Sequence, residues 1–138
     1  MSEPAVVERE EIAVQFVAVP DGIEHIPRAW DELETAVGSL RGRHFFGAYY
    51  PETDTYRACV ELREGDAPVP GLESGTLPGG RFLRARLRGD PPGVYERIGP
   101  TFEELLAVAA HDSGRPSLEH YRRLDEIDLL LPVLQRGA

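Results

Sequence analysis

The sequence predicts an α+β fold made of two copies of one β-α-β-β unit, and three observations lead there. A segment with the apolar stripe of a helix recurs at a fixed offset. Strand-like runs flank both copies in the same order. Between them, Glu64–Gly80 is loaded with glycine and proline and has no period, which makes it a linker.

The recurring segment is the helix. Glu24–Val37 aligns on Glu96–Ala109 without a gap, so one constant offset relates every position of the two. Glu24/Glu96, Ile26/Ile98, Glu32/Glu104 and Leu33/Leu105 are identical, and Trp30/Phe102 are similar. Ile26, Trp30, Leu33 and Val37 fall at i, i+4, i+7 and i+11, as do Ile98, Phe102, Leu105 and Ala109. That spacing makes one helix face. Pro27 and Pro100 stand at or near the first turn, where a missing N–H is tolerated. Gly38 and Gly114 lie at or beyond the ends.

Strands surround each helix. Ile12–Val19 precedes the first and Arg81–Arg88 the second. His44–Tyr50 is joined to Thr55–Leu62 by Pro51-Glu-Thr-Asp54, a run of turn formers. Ser117–Arg122 is joined to Ile127–Val133 through Leu124-Asp-Glu126. The expected organisation is one domain over residues 1–138, with repeats at about 11–63 and 81–134 and the linker at 64–80. Each unit alone leaves a sheet face and an edge uncovered, so the two pair about a pseudo-twofold axis. The cleft between them is the natural ligand site.

Composition narrows the function classes. The chain has 138 residues, 15 basic groups (all arginine) and a formal net charge of −9. So acidic a chain lacks the counterion-releasing surface that nucleic-acid binding needs, and no direct nucleic-acid contact is expected. Arg84, Arg86 and Arg88 alternate with Leu83, Ala85 and Leu87, which reads as the solvated face of an amphipathic strand. No apolar run approaches the roughly 20 residues of a membrane span, and the N-terminal MSEPAVVEREE has no signal-peptide pattern. With the single cysteine Cys59, which excludes an internal disulfide, this places the protein in the cytoplasm. His25, His44, His111 and His120 show no metal spacing. The linker glycines lack a P-loop lysine. Neither metal nor cofactor is expected.

One strand face carries the candidate chemistry. Ser117, Glu119 and Tyr121 share it, and the repeat maps them onto Phe45, Gly47 and Tyr49. Rings around one carboxylate suit a lipophilic cation. A carboxylate in an apolar cleft also acquires a raised pKa, which suits acid–base work. The alternative is an exposed glutamate paired with Arg122 or Arg57. Trp30 lies on its helix stripe, where it anchors the core and can touch the cleft. Tyr95 precedes the second helix and can close the pocket. Tyr56 alternates with Ala58, Val60 and Leu62 and reads as packing.

Three further stretches carry a resemblance. Leu77-Pro-Gly-Gly-Arg-Phe-Leu-Arg-Ala-Arg-Leu-Arg-Gly89, Tyr95–Ala109, and Leu118-Glu-His-Tyr121 with Glu126-Ile-Asp-Leu-Leu-Leu-Pro-Val133 follow one another in order. Together they resemble the GyrI-like small-molecule-binding domain, the effector-binding part of AraC- and MerR-type regulators. The resemblance implies an aromatic-lined pocket between the repeats with an acidic residue inside. It implies binding of a lipophilic aromatic or cationic compound by Glu119, Tyr121, Tyr49, Phe45, Trp30 and Tyr95. It also implies two alternatives: a cofactor-free hydrolase with Glu119 and Tyr121 as catalytic candidates, or a protein-interaction module such as a gyrase-protecting protein. Only about ten residues precede the first expected strand, which leaves no room for a DNA-reading helix-turn-helix.

Overall fold

In the computed structural model, which describes residues 4–38 and 42–134, eight strands form one antiparallel sheet. They are β1 (Ala5–Arg9), β2 (Ile12–Pro20), β3 (Phe45–Tyr50), β4 (Thr55–Glu61), β5 (Glu73–Leu77), β6 (Gly80–Arg88), β7 (Ser117–Arg123) and β8 (Glu126–Pro132). The helices are α1 (Ile26–Val37), α2 (Gly93–Glu96) and α3 (Ile98–Val108). Strand order is β1-β6-β8-β7-β3-β4-β2-β5. The α+β class and the six expected strands and two longer helices are present in the expected order. Among the described residues no helix is long and apolar enough to cross a membrane.

Two strands correct the sequence reading. The stretch 64–80 is not wholly linker, because β5 pairs with β2 from Ile12↔Leu77 to Phe16↔Glu73. Likewise β1 pairs with β6 from Ala5↔Arg84 to Arg9↔Gly80. Both are five residues long with a partner on one side only. Glu73-Ser-Gly-Thr-Leu77 has little of its own to favour a strand. It extends because the outer edge of β2 offers unpaired N–H and C=O groups that need partners.

A second difference concerns the offset. The helix starts Ile26 and Ile98 keep the interval of the sequence alignment, whereas the strand starts Ile12 and Gly80 lie closer together. The extra helix α2, placed between β6 and α3, accounts for the difference.

The helices lie on one face. Ala29 and Leu33 of α1 are fully buried and cluster with Val17, Val19, Tyr56, Ala58 and Val60. The helix ends where Gly38 takes φ +79°, its N–H bonded to the Glu34 carbonyl, the left-handed exit that glycine adopts without a Cβ penalty. Leu105 of α3 and Val94 of α2 cluster with Ala85, Leu87, Ile127, Leu129 and Leu131. The opposite face is also apolar, with Val14, Phe16, Phe46, Leu77, Phe82, Leu118 and Leu130 buried in one cluster. The sheet's own curl covers it. Arg9 of β1 touches the His120 ring of β7 at 3.2 Å, although β6 and β8 stand between those strands. In a flat sheet, three spacings of ~4.8 Å would put the strands about 14 Å apart.

Arg84 and Arg86 correct another expectation. Their strand neighbour Phe82 belongs to that buried cluster, as does Leu130, which pairs with Arg84. Arg84 and Arg86 are therefore half-buried on a packed face, and of the three only Arg88 is exposed.

Candidate functional site

The centre of the sheet is the junction of β3 and β7, where Phe45↔Tyr121, Gly47↔Glu119 and Tyr49↔Ser117 are cross-strand pairs. Residues of these pairs share the helix-side face, because Phe45 packs with the α1 cluster and Tyr121 with the α3 cluster. Glu119 thus sits at the seam between the two helix-covered halves.

Its carboxylate is held by phenols. Tyr121 Oη donates to Glu119 Oε1 at 2.5 Å and Tyr56 Oη donates to the same oxygen at 2.8 Å. Trp30 Nε1 donates in turn to Tyr56 Oη at 3.2 Å. The bond from Tyr121 is local, since residues two apart on a strand point the same way. The bond from Tyr56 on β4 passes across β3 and depends on Gly47. A Cβ at that position would overlap both Tyr56 Oη and Glu119 Oε1.

Burial pushes the Glu119 pKa up, the two phenols partly oppose it, and the Asp21 charge adds to it. Burial also pushes the phenols of Tyr56 and Tyr121 up, reinforced by the Glu119 charge. Both remain neutral donors at ordinary pH. No arginine or histidine lies within ion-pair distance of Glu119 among the described residues. The alternative of a surface pair with Arg122 or Arg57 is thereby corrected, because both arginines project from the other face. Arg122 pairs with Asp128 at 3.3 Å, and the Arg57 guanidinium stacks 4.3 Å from the rings of both Phe16 and Tyr50.

Further aromatic rings pack against these two phenols. Trp30 meets Tyr121 edge-on at 5.3 Å and lies 6.5 Å from both Phe45 and Tyr56. Tyr95, 43% exposed, stands 6.3 Å from Tyr121 on the outer side. Five of the six residues named from sequence are therefore brought together: Glu119, Tyr121, Phe45, Trp30 and Tyr95. Tyr49 shares the face, but its hydroxyl turns outward and donates to Asp54 at 3.1 Å.

Tyr56 corrects the packing-only reading. It is buried as expected, yet it also bonds Glu119. The turn at Pro51–Asp54 sets Tyr49 opposite Tyr56, and that pairing was the available signal. A separate cavity of about 420 Å³, lined by Gln15, Val37, Val60 and the Arg43–Asp66 ion pair, contains none of these residues. Among the described residues, no three His, Cys, Asp or Glu side chains are grouped to hold a metal ion.

No protein-family profile matches the chain, and no curated protein does. Solved structures do. An integron cassette protein from the mobile metagenome of Vibrio cholerae superposes with a TM-score of 0.74 at 14% identity, covering 95% of each chain. SAV2435, solved bound to tetraphenylphosphonium, superposes with a TM-score of 0.69 at 13% identity, covering 96% of this chain and 94% of that one. The C-terminal domain of EcmrR superposes with a TM-score of 0.63 at 14% identity, covering 97% and 98%. The chain shares the fold of these structures, in keeping with its resemblance to the GyrI-like domain.

Proposed function

We propose that the chain binds a lipophilic aromatic cation at the seam between its halves, sequestering or sensing it. One observation carries the reading: the Glu119 carboxylate has only two neutral phenols as partners, and those phenols belong to a cluster of aromatic rings. Taking a lone carboxylate out of water costs several kcal/mol unless an opposite charge joins it. A bound cation supplies that charge, and the faces of Trp30, Phe45, Tyr121 and Tyr95 supply quadrupole attraction and apolar contact. The rings now touch one another, so the ligand enters by replacing a ring-to-ring contact, with exposed Tyr95 at the entrance and Tyr49 at the far rim. SAV2435, with the same fold, is a precedent with tetraphenylphosphonium.

The seam itself supports an internal duplication about a pseudo-twofold axis. Gly47 and Glu119, which pair directly, stand at the same sequence offset as the helix starts Ile26 and Ile98. Read from either edge, the strand order is equivalent: β5-β2-β4-β3 from one side, β1-β6-β8-β7 from the other.

Calorimetric titration with tetraphenylphosphonium, alongside neutral triphenylphosphine oxide, tests the reading. A micromolar or weaker constant is expected for the cation (about −8 kcal/mol at 1 μM). Glu119→Gln should weaken it by about 1–2 kcal/mol and leave the neutral compound unchanged. Equal loss for both compounds, or no heat from any lipophilic cation, removes the proposal.

The 2.5 Å bond between Tyr121 and Glu119 favours a second reading, a cofactor-free hydrolase in which Glu119 accepts a proton from water and Tyr121 donates one to a leaving group. In that case Glu119→Gln would spare binding and reduce turnover by about 10²–10⁴-fold.

A further inference from the structure

The sheet face away from the helices carries a polar cluster that takes no part in the Glu119 site. Arg86 of β6, Asp128 of β8 and His120 of β7 are successive cross-strand partners there. Arg84 and Arg122 lie two positions along on the same face, and Arg9 reaches in from β1.

The charges in this cluster do not balance. Fully buried Asp128 takes Arg86 through both oxygens, at 2.6 and 3.1 Å, and Arg122 at 3.3 Å. Glu126 takes Arg86 at 3.1 Å. Arg9 and Arg84 have no carboxylate within ion-pair distance among the described residues. Counting Arg88 and Arg123, which also reach Glu126 at 3.7 and 4.0 Å, six arginines thus face two carboxylates, in a chain whose net charge is −9.

Arg9 has bonded to a histidine instead. A guanidinium only donates, so His120 Nδ1 at 3.2 Å must be the nitrogen with the lone pair. The His120 proton is then on Nε2, which donates to His44 Nδ1 at 3.0 Å. This relay keeps His120 neutral and gives Arg9 a bond but no counter-charge. Burial depresses the Arg9 pKa; Asp128 opposes this, and Arg122 and Arg84 add to it.

We propose that this cluster is a second ligand site, separate from the Glu119 seam, and that it binds a phosphate group. Two half-buried guanidiniums without counter-charges match the charge of a phosphate dianion, and their planar forks match its oxygens. A carboxylate would answer only one of them. Arg122, with 43% of its side chain exposed, marks the solvent-facing edge. The phosphate is either free or carried by a small phosphomonoester, since the same guanidiniums read both.

The test uses the full chain at pH 7.5 and constant ionic strength, with the ring resonances of His120 and His44 followed by NMR as inorganic phosphate is added. A saturable shift of both rings that chloride does not reproduce is expected. Arg84→Gln should weaken it at least tenfold and Arg84→Lys by less, whereas Glu119→Gln should leave it unchanged. Glycerol phosphate distinguishes the sources: equal affinity means that the phosphate alone is read, and tighter binding means that its organic part is also held. Shifts no larger than those with chloride in the unaltered protein overturn the proposal. So does wild-type affinity in both Arg84→Gln and Arg9→Gln. If neither variant folds, the titration of the unaltered chain decides.

Discussion

Gly47 stands directly opposite Glu119 across the β3–β7 junction, and the side chain it lacks is the space through which Tyr56 reaches the carboxylate. Gly47→Ala should therefore act on the site and on the fold together. The new Cβ forces the Tyr56 and Glu119 side chains apart, with an overpacking cost of about 1–3 kcal/mol and a buried phenol left without its acceptor. Urea denaturation should show the lower midpoint, and the variant should bind tetraphenylphosphonium more weakly. A midpoint and affinity both equal to wild type would mean that the Tyr56–Glu119 bond contributes nothing.

Cation binding should fade on acidification. Glu119 titrates above the ordinary value of 4.5 because burial outweighs its two phenol donors. The carboxylate is charged above its raised pKa, so affinity falls as the pH drops through it, beginning above pH 4.5. Tyr121→Phe removes a donor that favours the charged form, and the midpoint should move higher. Calorimetry between pH 4 and 8 measures both; an affinity flat with pH, or a midpoint moving down in the variant, contradicts the assignment.

His120 should make the fold sensitive to acid. Its pKa is lowered from 6.5 to about 4, first by burial and then by the charge of Arg9. Above pH 6.5 the ring is neutral in both folded and unfolded chains. Between pH 6.5 and about 4 only the unfolded chain takes the proton, so stability drops across that window, by roughly 3 kcal/mol in total. His120→Phe keeps a ring stacked on Phe46, which now lies 4.4 Å away, and should flatten this slope. Equal slopes in denaturation at pH 7 and pH 4.5 would assign the acid sensitivity to other groups.

The chain's single tryptophan lies in the site. Trp30 emission should therefore change saturably with a lipophilic cation, at one ligand per chain, and with the constant that calorimetry gives. Phosphate should leave it unchanged. A cation that binds by calorimetry without altering the emission would be bound elsewhere.

Much of this was legible in the sequence, for reasons that differ from residue to residue. The six interior strands alternate or carry β-formers, and Ile26–Val37 repeats its apolar stripe at Ile98, so local periodicity was enough. Glu119 and Tyr121 could be put on one face because a strand has a period of two, and the repeat mapped Phe45 onto that face. Tyr56 was read as packing and not as part of the site, because its contact depends on the order of β7, β3 and β4 rather than on its own neighbours. β1 and β5 were missed because runs this short carry no clear pattern, and Gly75 weakens β5 further. They are strands only by virtue of partners far away in the chain. The half-burial of Arg84 depends on the curl of the whole sheet, which alternation along one strand does not encode.

β1 precedes the first half yet pairs with β6 of the second, and β5 precedes the second half yet pairs with β2 of the first. Each half is finished by a strand from outside it. The pair Ala5↔Arg84 joins positions separated by more than half of the chain, so its loop-closure entropy is lost before its hydrogen bonds are gained. Neither half can complete its own outer edge, and the chain should cross a single cooperative unfolding transition rather than two. Cleavage between β4 and β5 would leave two fragments with unsatisfied edges, each recovering its sheet only when mixed with the other.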